Sequence, residues 1–510
     1  MTRRAAIAAP NPTATQAALS AVASGGNALD AALAAMIAAS VTEPGIISPL
    51  GGCYISLWPE HGSPVVVDGN VEMPGRQAPR EHFGQGLIKC VTTYGGGLTT
   101  YVGPGSVATP GMFAAMGWAH ERFGNAAWAD LFAPATRAVA HGFTVSRTAE
   151  TYSALVADSI FAWDPVTKQV YTRNGDPMRA GDLIVDADLA STLDLIAAEG
   201  ASVVYTGEIG HALADDVQSR GGLLTRADLA AYRPVVREAL RSHLGDWDLA
   251  CNPPPAIGGP VLTAMLRLLD SAGPPGSLTP ADAAHVMRRV LDLRLDRMDL
   301  APDLEAAGSD LLAQIAQTSE EVLPTPASTA HVSVVDSEGM ACAITASSGY
   351  GSGMTIAGTG MLANNALGEP ELNRRGMHTL QPGTRMASNM APTTARHPDG
   401  TVLSIGTPGA DRITTALTQV LLHLCVHGES LQEAIDRPRL HVRHLEDGSV
   451  RIDHERDPEL TAALADAGLP LYEHAPHAMF FGGVGGALRH PDGALSAGAD
   501  PRRAAATAVG

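Results

Sequence analysis

Residues 320–326, EEVLPTP, place two prolines within three residues, directly ahead of an alternating run. Proline fixes its own φ, removes an N–H donor and pushes the residue before it toward extended backbone, so no helix should cross this point. From His331 to Val335 polar and apolar residues alternate with the two-residue period of a strand. Asp336-Ser337-Glu338-Gly339 has the composition of a turn, and residues 340–345 read as the returning strand. The chain must therefore build a hairpin here, entered from an exposed linker, with Thr329 at the first strand position. A Thr at a strand start is ordinarily structural, because β-branched residues suit a pleated surface.

The rest of the chain sets the scale. At 510 residues it exceeds what one core usually holds, so two domains or one large layered α/β unit are expected. A net charge of −19 argues against nucleic acid and anionic lipid as partners. The five cysteines are odd in number, scattered and without a CxxC pair, which argues against a disulfide framework or a zinc site. The first residues carry two arginines but no apolar core of a signal segment, and no run is long enough to span a membrane. A cytoplasmic location is the expectation, with no membrane partner.

Two helices are predicted over 10–24 and 27–40, with Gly25-Gly26 as the turn between them. The second is apolar nearly all round and should be buried. Strands are predicted over 54–58 and 64–68, and helices near 186–200 and 285–297. Gly51-Gly52 is not followed by the Gly-Lys-Ser/Thr of a phosphate loop, so close packing against the sheet is the better reading. Gly482–Gly486 (GGVGG) lacks the strand, helix and acidic residue of a dinucleotide site. His423/His427 have metal-compatible i, i+4 spacing, but no carboxylate completes a metalloprotease pattern, so no metal is expected there, at His441/His444 or at His474/His477.

Several ordered motifs resemble the γ-glutamyltransferase family of N-terminal-nucleophile hydrolases. They are GGNALDAA with EP and GG (25–52), SVATPG (106–111), PPPAIGG (253–259), TAHVSVVD (329–336) and the final Asp500-Pro501-Arg502. The resemblance runs over nearly the whole chain. It implies a four-layer αββα sandwich made as one precursor that cuts itself between Ser328 and Thr329. A large subunit 1–328 and a small subunit 329–510 would remain as a heterodimer, with further dimerisation left open. No cofactor is implied, and the partner is a small-molecule substrate.

By the same resemblance Thr329 becomes the nucleophile. A Thr hydroxyl needs a base, and cutting before Thr329 supplies one on the same residue, an α-amine of pKa about 8. Ser347 occupies the position of a family hydroxyl, and Thr345 and Ser347 are expected to hydrogen-bond Thr329. Residues 404–413 (SIGTPGADRI) resemble the family segment whose backbone N–H groups receive the oxyanion, here Gly409 and Ala410. Ala410 departs from a family glycine, a change that a negative φ would accommodate without strain. Ser388 and Asn389 stand where the family holds the substrate carboxylate, and Glu369 where it holds the substrate amine.

The family's carboxylate-binding arginine falls at Val71, which cannot pair with an anion; Arg76 or Arg80 are the candidate replacements. Arg374-Arg375 are a candidate clamp for a dicarboxylate or oxalyl group. The second Thr of the family's T-T-H is Ala330. The leading function is acyl transfer or hydrolysis of a small amide, γ-glutamyl-like or oxamate-like, through a Thr329 ester. One alternative is hydrolysis of a carbon–carbon bond next to an oxalyl group in an antibiotic biosynthetic pathway. Another, motivated by Ala330 and Ala410, is a non-catalytic binding protein on the same fold.

Overall fold

The computed structural model describes residues 3–92, 98–272, 277–315, 329–445, 447–465 and 467–510. The predicted linker 320–326 and Ser328 lie outside them. Thirteen strands form the two principal sheets: β1 (Ala5–Ala9), β2 (Gly52–Trp58), β3 (Val65–Gly69), β4 (Val235–Glu238), β5 (Leu240–Leu244), β6 (Trp247–Cys251), β7 (Ala330–Asp336), β8 (Ala341–Ser347), β9 (Thr393–Arg396), β10 (Val402–Gly406), β11 (Gly485–Arg489), β12 (Leu495–Ala499) and β13 (Ala506–Val509). The first sheet has the order β4-β3-β2-β8-β7-β1-β13 and the second β5-β6-β9-β10-β11-β12. Neighbouring strands are antiparallel throughout both sheets.

Helices α1 (Pro12–Ala23) and α2 (Ala28–Thr42) cover the outer face of the first sheet, and α3 (Gly258–Ala272) and α4 (Arg412–Cys425) that of the second. The inner faces meet through small side chains, among them Ala6, Ala250, Ala341 and Ala487. This is the expected αββα sandwich. Both sheets take strands from either side of position 329, so 1–328 and 329–510 are interleaved and do not fold as neighbours. Among the described residues no helix is long and apolar enough to cross a membrane.

Local sequence explains the central elements. Asn27 caps α2 and exchanges hydrogen bonds with Asp30 in a capping box, and every residue of α2 is buried, as its all-round apolarity requires. Gly25, at φ +87°, makes the turn between α1 and α2. Asp336 closes the β7–β8 hairpin: its carboxylate accepts the N–H groups of Glu338 and Met340, and that of Ala28 at the start of α2. The hairpin is thereby pinned to the buried helix.

Candidate active site

Along β7, Val332 and Val334 pack into the helix layer, while Val335 packs between the sheets. His331 and Ser333 share the inter-sheet face, and by the same alternation so does Thr329. The polar half of the predicted alternating strand is therefore buried. His331 Nδ1 lies 2.8 Å from the Thr345 hydroxyl and Nε2 2.7 Å from that of Ser333, which donates to the Gly485 carbonyl. A Cβ at Gly406 would come within 2.2 Å of this imidazole, so a glycine in β10 is what admits the ring. Burial holds His331 down at about 3, and the ring is neutral. Thr345 thus pairs with His331 and not with Thr329 as expected, because the strand register sets it opposite His331.

Extending the Ala330–Ala346 pairing by one position sets Thr329 opposite Ser347. Both line a small cavity of about 30 Å³. Ser347 Oγ accepts the Gly349 N–H at 3.2 Å. Glu369, Ser388, Asn389 and Ala410 line the same cavity, so these four predicted residues are brought together with Thr329. Among the described residues Glu369 Oε2 and both ends of the Asn389 amide are buried without a partner, which marks them as groups awaiting a ligand. Burial, with Glu371 nearby, holds the Glu369 carboxyl well above the usual carboxylate range. Gly51 and Gly52 admit this geometry: a Cβ on the first would lie 2.4 Å from the Ser347 carbonyl, and on the second 2.7 Å from Val71 N. The packing reading of these glycines holds.

The predicted oxyanion turn joins β10 to α4. Gly409 has φ +135° and Ala410 φ +62°, and Asp411 enters the helix. Ala410 is therefore left-handed, the conformation that a side chain resists. Among the described residues neither the Gly409 nor the Ala410 N–H has an acceptor. The turn is clasped from behind: Thr407 Oγ1 donates to the Pro408 carbonyl and accepts the Gly483 N–H at 2.9 Å. Arg412 reaches the Asp411 carboxylate at 2.6 Å and the Phe480 carbonyl at 2.9 Å. The GGVGG stretch thus supports the turn.

The arginines fall elsewhere. Val71 stands in the cavity wall, where the family's arginine was expected. Arg76 bonds Asp228 and lies near Glu72, and neither it nor exposed Arg80 lines the Thr329 cavity. Arg374 and Arg375 line a separate chamber of about 410 Å³ and not the Thr329 cavity. Leu372 and Ala387 line both spaces.

Sequence reasoning missed Glu43. It is buried behind Thr329 in a second small cavity with Ala330, His331 and Arg503, and accepts hydrogen bonds from Asn11 (2.8 Å) and Ser146 (2.7 Å). Burial pushes it up to about 7. Its only sequence signal is its place in the EP pair of the opening motif. Because the folded pKa lies above the unfolded value, Glu43 favours the fold below pH 4.5 and loses that contribution as pH rises to about 7. The shift corresponds to about 3 kcal/mol. Glu43→Gln, compared with its parent by urea unfolding of the uncleaved Thr329→Ala chain, should gain up to that amount between pH 5 and pH 8. An identical pH slope in both chains would show that Glu43 is ionised throughout.

The sequence model of the γ-glutamyltranspeptidase family matches residues 14–510. The chain belongs to that family. It is 30% identical to the acylase ACY 1 proenzyme of Pseudomonas sp. strain SE83, over 96% of this chain and 90% of the relative. It is 28% identical to the glutathione hydrolase proenzyme of Escherichia coli K12, over 97% and 90%. The cephalosporin acylase structure from Bacillus halodurans superposes with a TM-score of 0.80, at 23% identity and over 99% and 96% of the two chains, which supports the fold. Family membership makes this γ-glutamyltranspeptidase relative an enzyme of N-terminal-nucleophile acyl transfer or hydrolysis.

Proposed function

We propose that Thr329 is the nucleophile of a self-processing amide hydrolase or acyltransferase whose acyl group resembles γ-glutamyl in its amine but lacks the carboxylate. One observation carries this reading. The cavity that Thr329 shares with Ser347 and Glu369 offers a buried carboxyl and a buried amide with unpartnered atoms, yet among the described residues its lining includes no Arg, Lys or His, while His331 and Arg503 line the second small cavity behind Thr329. A carboxylate entering it would lose its hydration without a counter-charge, at a cost of several kcal/mol. An ammonium would instead meet Glu369 and displace its proton.

In processing, the Thr329 hydroxyl attacks the Ser328 carbonyl carbon and the bond to the Thr329 nitrogen breaks. Water then hydrolyses the resulting ester, leaving a Ser328 carboxylate and a free Thr329 amine. In turnover that amine takes the Thr329 hydroxyl proton as the oxygen attacks the substrate carbonyl. The N–H groups of Gly409 and Ala410 receive the oxyanion. The amine passes its proton to the leaving nitrogen, and water or an acceptor amine releases the acyl group from Thr329.

The carbon–carbon alternative keeps one supporting observation: a departing carbon needs a proton, and the raised carboxyl of Glu369 holds one in the cavity. Product analysis separates the readings. 4-Aminobutyryl-4-nitroanilide, which is γ-glutamyl-4-nitroanilide without its α-carboxylate, should show a kcat/KM at least about 10-fold higher than the γ-glutamyl compound. Preference for the γ-glutamyl compound would overturn the proposed acyl class, and turnover of an oxalyl-enamine alone would select the alternative.

A further inference from the structure

The Thr329 cavity is too small for an acyl group and its leaving group together, while a chamber of about 410 Å³ lies on the other side of Leu372 and Ala387. A chamber of this size falls in the range that holds a drug-sized ligand. The segment 369–376 divides the two: Glu369 faces the Thr329 cavity, and Glu371 through Gly376 face the chamber.

The charges of the chamber wall are mostly matched within the protein. Arg385 pairs with Asp68 at 3.4 Å and Glu72 at 3.0 Å, and its guanidinium also donates to the Asn70 and Arg233 carbonyls. Arg237 bonds Asp68 at 2.8 Å and reaches Glu305 at 3.8 Å. Asp299 holds Arg294 at 3.0 Å and Arg374 at 3.7 Å. Asp303 accepts the N–H groups of Glu305 and Ala306 at the start of a helix. Glu371 takes a hydrogen bond from the Tyr350 hydroxyl at 3.2 Å, and burial raises its carboxyl above the usual carboxylate range. Arg375, exposed at the chamber wall, has no ion pair among the described residues. Arg375 is therefore a wall guanidinium left open to a ligand, next in sequence to a second guanidinium.

We propose that this chamber binds the part of the substrate beyond the scissile bond, a bulky leaving group bearing a carboxylate that docks on Arg374-Arg375, with Leu372 as the partition that separates it from the acyl site. The proposal rests on Thr329 being the nucleophile, which sets the place of the scissile bond. It makes the substrate bipartite: a small acyl group without a carboxylate on one side, and an anionic leaving group on the other.

The test compares 4-aminobutyryl-4-nitroanilide with its 3-carboxy-4-nitroanilide counterpart. The wild-type enzyme should have a KM about 10-fold lower for the carboxylated anilide, and this preference should fall to about one in Arg374→Ala/Arg375→Ala. Arg375→Lys should restore part of it. Leu372→Ala should change KM for both anilides without changing their ratio. A preference kept by the double variant, or absent from the wild type, overturns the proposal. If neither anilide is turned over, the nucleophile or acyl reading has failed and the chamber is judged by binding alone. Calorimetry of 5-amino-2-nitrobenzoate, the leaving group itself, should then show binding to the wild type but not to the double variant. Equal binding to both, or to neither, overturns the chamber.

Discussion

Thr329→Ala is expected to purify as a single chain of 52.6 kDa, and the wild type to give fragments of about 34 and about 19 kDa. Its turnover should fall by at least about 10⁴-fold, the scale on which enzymes lose activity when the attacking oxygen is removed. The fold should survive. The hairpin that carries position 329 is closed by Asp336, pinned to α2 and paired on both sides within the first sheet. Removing one buried hydroxyl and methyl should cost no more than about 2 kcal/mol. Thr329→Ser restores a nucleophilic oxygen and should process slowly. Intact mass and N-terminal sequencing decide the matter, because a Thr329→Ala chain cut at the same bond would exclude the hydroxyl as the attacking group. A persistent single chain in the wild type would instead favour the non-catalytic reading.

How much of this was legible depended on whether a residue's role is set locally. The helix pair over 12–42 was readable because capping, the Gly25 turn and an all-apolar helix are local signals. The hairpin was readable because Asp336 and Gly339 carry its turn. The burial of His331 and Ser333 was not. A polar–apolar alternation ordinarily means one wet face, and here a second sheet, admitted by Gly406, covers it. The place of Arg374-Arg375 was equally hidden, because Leu372, two residues away, decides which side of a partition they reach. Arg76 was plausible by proximity in sequence, but Asp228, more than 150 residues on, holds it elsewhere. Glu43 meets Asn11 and Ser146 only once three distant segments converge. The residues around Thr329 were found because the family motifs encode their three-dimensional meeting.

Ala410 offers the sharpest test of the oxyanion turn, since its strain and its proposed role make opposite demands. At φ +62° an Ala side chain costs about 1 kcal/mol relative to glycine. Ala410→Gly should therefore raise stability by about that amount and leave the N–H in place, with activity retained. Ala410→Pro removes the N–H and cannot adopt the observed φ. It should lower kcat by 10²–10³-fold or more, the loss that follows removal of one oxyanion donor. A folding defect is distinguished by near-UV circular dichroism and by a cooperative melt, since the Thr407 and Arg412 clasps hold the turn from outside. KM should change far less than kcat, because the donor acts on charge that develops in the transition state. A folded Ala410→Pro enzyme with wild-type kcat would remove Ala410 from the oxyanion hole. A loss of stability in Ala410→Gly would mean that the left-handed turn is not strained by its methyl group.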